Sequence, residues 1–234
     1  MLPNDVGVVL VHGAWADGSS WSKIIEPLAA EGINVSAPPL PLTSFTDDVA
    51  ALDRALERMP GPVVLAGHAY GGAVMGGTRS DKVKALVYVS ALAPDEGETV
   101  ADVFYRTEPH PQAPKLAPDG HGLIYLPDAA FGAAFAQNAD AEELALLAAV
   151  QKPISLACIS VPVPRPLWKH RPAWFLVAEQ DRMIAQENQR FMAERMRARV
   201  RSHRVDHTAI LTAPAVVLDG LREAVAAVRT GSAP

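Results

Sequence analysis

Apolar residues recur along this chain with two periods. Residues 6–11 are an unbroken apolar run rich in valine, the pattern of a strand covered on both faces. Over 19–31 the period changes. Trp21, Ile24, Ile25 and Leu28 fall three and four apart, which predicts a helix that Gly32 ends. A short strand over 34–37 stops at Pro38-Pro39. Ser44, with Asp47 three positions on, reads as a helix cap. Val49, Leu52, Ala55, Leu56 and Met59 then repeat at helical spacing up to Pro60-Gly61-Pro62. Strand 63–66, a turn, a helix of small residues from 71 to 77 and strand 83–89 follow. Strand and helix in alternation predict a parallel sheet joined by right-handed crossovers.

The regularity breaks after Ala93. Six prolines stand at 94, 109, 111, 114, 118 and 127, and no long apolar period accompanies them. Helical stretches over 128–138 and 140–150 precede a proline-rich run at 161–166. Residues 94–170 therefore read as a cap inserted into one α/β domain spanning 1–234. The alternation resumes with strand 173–177, helix 186–197, strand 200–205 and helix 214–228, and the tail 230–234 is expected to fray. No internal repeat is visible.

Composition narrows the picture. A chain of 234 residues suits a single α/β domain. With 49% hydrophobic and 20% charged residues it can build a core rather than stay disordered. A net charge of −5 argues against a nucleic-acid partner. The local run of Arg195, Arg197, Arg199, Arg201 and Arg204 reads as a solvated helix end and edge strand. Cys158, the lone cysteine, excludes an internal disulfide, suits a reducing compartment and reads as a small buried filler. The run at 6–11 is too short for a leader or a membrane span, and residues 1–5 are not basic. The expectation is a soluble, cytoplasmic protein with a small-molecule partner, without membrane or nucleic acid; its oligomeric state is open.

The chemistry begins at Gly67-His68-Ala69-Tyr70-Gly71. A G-x-S-x-G sequence between a strand and a helix marks a sharp turn that exposes a serine hydroxyl. Here strand and helix are in place, but Ala69 carries no oxygen. Asp181 follows strand 173–177 and is the expected acid. His207 follows the last strand and is the expected base, with Asp206 beside it as the rival carboxylate. Positions 69, 181 and 207 stand in the chain order nucleophile, acid, histidine, each after a strand, where open α/β sheets bind ligands. The first strand ends in His12-Gly13-Ala14-Trp15. The amides of Ala14 and Tyr70 are the expected oxyanion donors, since backbone N–H groups survive the loss of a serine side chain. His68 is expected to pack behind the turn. His110, His121, His170 and His203 lack metal-ligand spacing, and no metal site is expected. Trp15 and Trp168 are candidates to wall a substrate pocket, with core packing as the equal alternative.

Val9-Leu10-Val11-His12-Gly13-Ala14-Trp15-Ala16-Asp17-Gly18-Ser19-Ser20-Trp21 resembles the opening of the α/β-hydrolase superfamily. Within it, the chain is similar to the branch holding methyl-ester hydrolases of the salicylate methylesterase type and hydroxynitrile lyases. Residues 67–72 resemble that branch's G-H-S-Y-G-G turn, 179–184 its acid loop, and Asp206-His207 its histidine loop. The resemblance runs over nearly the whole chain and is least specific over 94–170. It implies a cofactor-free enzyme acting on small carbonyl compounds or esters, and roles for Asp181, His207, Ala14 and Tyr70. It fails at Ala69, which is either a replaced serine or a natural alanine. Three functions stay open. One is a carboxylic-ester hydrolase for a small or medium apolar ester, poor or inactive as written. Another is a lyase or decarboxylase that uses His207 and Asp181 without a nucleophile, as some serine-free members of the branch resemble decarboxylases of β-keto acids. The third is a binding protein without catalysis.

Overall fold

The first apolar run forms β1 (Gly7–Val11), all of it buried. Successive side chains of a strand point to opposite faces, and β1 divides accordingly. Val9 and Val11 join one apolar cluster, Val8 and Leu10 another. A 3₁₀ turn at Gly18–Trp21 then leads into α1 (Ser22–Ala30), so the helix expected from residue 19 begins later. After β2 (Val35–Ser36) comes α2 (Phe45–Arg58), capped as expected by Ser44, whose hydroxyl accepts from Asp47 N at 3.1 Å. β3 (Val63–His68), α3 (Gly71–Gly77) and β4 (Val83–Val89) complete the first half. The structure, a computed structural model, describes residues 6–232. Residues 1–5, read above for a leader, and the tail end 233–234 lie outside the described residues.

The connection after β4 holds α4 (Val100–Phe104), β5 (Leu123–Ile124), α5 (Asp128–Ala130), α6 (Ala141–Ala149) and β6 (Ile154–Ser155). The helix expected over 128–138 is short. α5 widens at once into a π turn, Phe131–Phe135, in which Ala136 N donates to Phe131 O. Phe131 and Phe135 both stay in the core, their ring centroids 5.5 Å apart. β5 and β6 pair antiparallel as a two-stranded ribbon. Val100, Ile124, Phe135 and Ile154 bury into the same cluster as Val9 and Leu65.

β7 (Ala173–Ala178), α7 (Gln186–Arg195), β8 (Arg199–His203), α8 (Ala209–Thr212) and α9 (Pro214–Thr230) finish the chain. The last strand thus runs earlier than the expected 200–205. The main sheet has the order β2-β1-β3-β4-β7-β8, and its five pairings are all parallel. Leu52 and Leu56 of α2, Val74 of α3 and Met192 of α7 cover one face. Ile24 and Leu28 of α1 and Leu221 and Val225 of α9 cover the other. This is an α/β-hydrolase fold, a parallel sheet between helical layers. No helix among the described residues is long and apolar enough to cross a membrane. Arg199 and Arg201 of the edge strand pair with Glu223, and Arg195 at the end of α7 pairs with Glu98.

Candidate active site

The turn between β3 and α3 is built by close backbone approach. A Cβ on Gly67 would stand 2.7 Å from Gly71 C, and one on Gly71 would strike Val11 O. Between these glycines Ala69 adopts φ 49°, a left-handed conformation that is unfavourable for a residue with a Cβ. Three hydrogen bonds hold it there. Its N–H donates to Val89 O at 3.4 Å, and its carbonyl accepts from Gly72 N at 3.1 Å and Leu92 N at 3.0 Å. Its methyl group lies against Gly13, where a Cβ would approach to 2.9 Å.

His207 follows β8 and is buried, 2% exposed. Its Nδ1 lies 2.8 Å from Asp181 Oδ2. Asp181 is held from every side. Oδ1 accepts from Met183 N at 2.7 Å and Ile184 N at 2.8 Å, and Oδ2 also accepts from Gln189 Nε2 at 2.9 Å. A carboxylate bound this way fixes the orientation of the imidazole and leaves Nε2 for the other side. Gln189 was not evident from composition or motif. It lies on the α7 face of Met192 and Ala193, at +3 and +4, and a polar residue on that buried face was the available signal. Asp206, the rival carboxylate, turns away from the imidazole. It accepts from Asn138 N at 2.9 Å and Thr212 Oγ1 at 2.5 Å, and burial raises its carboxyl.

One cavity of about 60 Å³ brings Ala14, Trp15, Ala69, Tyr70 and His207 together. Its remaining walls are mainly apolar, among them Leu92, Phe135 and Ile184, and no Lys, Arg, Asp or Glu is among the described residues that line it. Phe135 packs against the His207 ring with centroids 5.3 Å apart. The polar atoms of two lining side chains are already engaged. Trp15 Nε1 donates to Ile124 O at 2.9 Å, and the Tyr70 hydroxyl donates to Asp48 Oδ2 at 2.7 Å. The Ala14 and Tyr70 amides have no acceptor among the described residues, whereas Trp15 N, next in the chain to Ala14, donates to Lys152 O at 3.1 Å. An imidazole beside an apolar space can move a proton.

Trp168 is a correction to the sequence reading. It does not line the cavity. Its Nε1 donates to Pro94 O at 3.3 Å, and Lys169 and Arg195 lie over its ring. The indole Nε1 thereby joins the two ends of the 94–170 connection.

Behind the turn stand two further imidazoles. His68 Nε2 donates to the His207 carbonyl at 2.8 Å, and burial, followed by the charge of His207, lowers its pKa to about 3. His12 donates from Nδ1 to Gly13 O at 2.8 Å and accepts at Nε2 from Leu40 N at 2.9 Å. That pair of bonds needs the neutral ring, and burial lowers its pKa to about 4. Asp48 is fully buried, accepts also from Leu42 N at 2.7 Å, and lies 3.6 Å from Cys158 Sγ. Burial and then Asp48 push the Cys158 thiol up to about 12, an unreactive filler. Among the described residues, no group of three or more His, Cys, Asp or Glu is placed to hold a metal ion.

Comparison with known proteins follows the same outline. Over 118 residues the chain is 29% identical to a carbendazim hydrolyzing esterase from Nocardioides sp. (strain SG-4G), a stretch that is 43% of this chain and 48% of that protein. The chain thus matches about half of that relative's length. Among solved structures, a variant of tomato methylketone synthase I complexed with beta-ketoheptanoate superposes with a TM-score of 0.82 at 19% identity, covering 96% of this chain and 99% of that one. A pyrethroid hydrolase from Sphingobium faniae JZ-2 gives 0.78 at 20% identity, covering 95% and 98%. These two likenesses concern the fold. The sequence profile of the alpha/beta hydrolase family matches residues 8–219, from within β1 to within α9, and so takes in the turn at Ala69 and the loops of Asp181 and His207. By that match over most of its length, the chain belongs to the alpha/beta hydrolase family.

Proposed function

We propose that this chain is a cofactor-free acid–base enzyme for a small apolar carbonyl compound, and that decarboxylation of a β-keto acid is the reaction its site fits best. The observation that carries this reading is Ala69 at the cavity-facing turn beside an intact His207–Asp181 pair. In this reading Ala69 takes the place of the hydrolytic serine, and residues 94–170 act as a cap over the site. Ester hydrolysis through an acyl-enzyme needs an oxygen nucleophile at that turn. Alanine has none, so the chemistry left is proton transfer and charge stabilisation.

A β-keto carboxylate in this cavity meets no Lys or Arg among the described residues, and the protonated His207 is its one cationic neighbour. Desolvation without a bidentate or lysine partner disfavours the charged carboxylate. As the bond between the α-carbon and the carboxylate breaks, CO₂ leaves uncharged and the electron pair moves into an enolate. The Ala14 and Tyr70 amides receive the enolate oxygen. Protonated His207, oriented by Asp181, delivers a proton from Nε2 to the α-carbon and is recharged from solvent. The products are CO₂ and a methyl ketone. The fold likeness to a methylketone synthase complexed with beta-ketoheptanoate agrees with this choice of substrate. Incubation with β-ketoheptanoate in metal-free buffer, with ketone measured by gas chromatography, tests it. His207→Gln should slow ketone release by ~10²–10⁴-fold, the usual weight of one general acid or base. Release that ignores His207, or that needs added metal, overturns the reading.

The second reading is a hydrolase of a small or medium apolar ester. The apolar cavity and the 29% identity to a carbendazim hydrolyzing esterase favour it. It requires that Ala69 stand where the active protein carries serine. If neither chemistry appears while apolar ligands bind, the protein is a binder without catalysis.

A further inference from the structure

A second hollow, of about 20 Å³, adjoins the cavity at Ala69. Phe104, Tyr105, Leu116 and Met183 line both. These four side chains stand between the two spaces. In the second hollow the wall changes character, because Thr107 and Glu108 take part in it. Thr107 Oγ1 is buried with no hydrogen-bond partner among the described residues. A buried hydroxyl without a protein partner is unfavourable and calls for a water or a ligand group to satisfy it. The volume of the hollow suits one group the size of a water molecule.

We infer that a neck opens between these four side chains, and that the hollow beyond it is a second subsite, which receives the far end of an extended ligand and hydrogen-bonds a terminal hydroxyl to Thr107. The inference rests on the reading above that the first cavity holds the substrate's carbonyl end. Each part of the ligand then has a counterpart. The carbonyl faces His207 and the Ala14 and Tyr70 amides. An unbranched apolar chain passes the neck. The terminal polar group reaches Thr107. Glu108 in the same wall sets its charge, since a carboxylate beside it repels an anionic end. The ligand class is therefore a straight-chain carbonyl compound with a neutral ω-hydroxyl group.

Binding of methyl ketones, measured by titration calorimetry, tests this without turnover. Three probes suffice: a short ketone that fills the first cavity, a longer one that passes the neck, and the ω-hydroxy form of the longer one. Each methylene that enters the neck should tighten binding about fourfold, from ~0.8 kcal/mol per buried CH₂. The ω-hydroxy ketone should bind about two- to tenfold more tightly than the plain ketone of equal length, the net value of one ordinary hydrogen bond. Thr107→Val, which keeps the shape of the side chain, should erase that ratio. Leu116→Trp, which fills the neck, should weaken the longer ketone relative to the short one.

An absent ratio in the natural chain, or one that survives Thr107→Val, overturns the subsite and means that solvent alone satisfies Thr107. If the short ketone binds and lengthening gains nothing, the subsite falls while the proposed function stands. If no ketone binds, both fall.

Discussion

Single residues carry most of what is unusual in this protein. Ala69 holds a left-handed conformation that its neighbours enforce, and its side chain faces the cavity without an oxygen. Ala69→Ser separates the two chemical readings. Under the ester-hydrolase reading it raises hydrolysis of p-nitrophenyl esters on the order of 10²-fold or more, since the missing triad member returns, and the variant is labelled by a fluorophosphonate. A variant that stays unlabelled while the natural chain decarboxylates a β-keto acid leaves only the nucleophile-free reading. The glycines around it make a sharper structural test. A Cβ at Gly67 meets backbone atoms of Gly71 at 2.7 and 2.8 Å, and backbone cannot rotate aside. Gly67→Ala should cost about 1–3 kcal/mol or more, as overpacked sites do, and lower the melting temperature. Gly120→Ala, with nothing within 4 Å of the new atom, serves as the control and should leave it unchanged. Equal melting temperatures for the two variants would contradict this account of the turn.

At the scale of elements, the buried parallel strands and amphipathic helices are legible in the sequence because one period dominates each. α2 is the clearest case. Ser44 caps it, and Leu52 and Leu56 are fully buried. Ser44→Ala should lower unfolding free energy by about 1 kcal/mol, the common cost of losing an N-cap, as read by urea denaturation. Asp48 also lies on that buried stripe, four residues before Leu52, and a charge at a core position was the sign that it has a buried task. α7 owes its exact seating to Gln189, which donates to Asp181 Oδ2 and Ile184 O and accepts from Ala178 N. Gln189→Leu keeps the bulk but removes all three bonds. It should reduce kcat about tenfold or more with a smaller effect on KM, because it loosens the carboxylate that orients His207. An unchanged kcat would show that Met183 N, Ile184 N and His207 hold Asp181 alone. The elements between β4 and β7 were less legible. A two-residue ribbon and a π turn have no sequence period, and their positions follow from what they cover.

For the whole molecule, two buried neutral imidazoles set the response to acid. His12 and His68 have folded pKa values of about 4 and about 3, below the ordinary 6.5. Between those values the unfolded chain binds protons that the folded one refuses. Stability therefore rises with pH through this window, is fully present above about 6.5, and is lost as pH falls below it. Asp48 and Asp206, raised by burial, act in the opposite sense nearer the carboxylate range. Two such imidazoles should remove roughly 2 kcal/mol between about pH 7 and about pH 5.5, from ~1.4 kcal/mol per pH unit for each. Denaturant titrations at the two pH values measure it. His12→Gln, which keeps an acceptor for Leu40 N, should about halve the slope. Equal stability at both pH values would mean that neither ring is held neutral.

Periodicity, capping residues and strand-end positions were enough to read the parallel sheet, the turn at Ala69, and the order of Ala69, Asp181 and His207, because each is a local pattern imposed by backbone geometry. Those positions lie 112 and 26 residues apart in the chain, and nothing local sets their distance. Packing against the two faces of the sheet brings His207 and Ala69 to one cavity and gives Asp181, rather than the adjacent Asp206, to the imidazole. The same holds for the two tryptophans. Both looked equally suited to a pocket wall, but Trp15 follows a strand end while Trp168 closes a loop onto Pro94. The place of Leu116 between two hollows and the burial of the Thr107 hydroxyl are likewise products of contact between distant segments, since a side chain's neighbours across the fold, not along the chain, decide whether it meets solvent, protein or an open space.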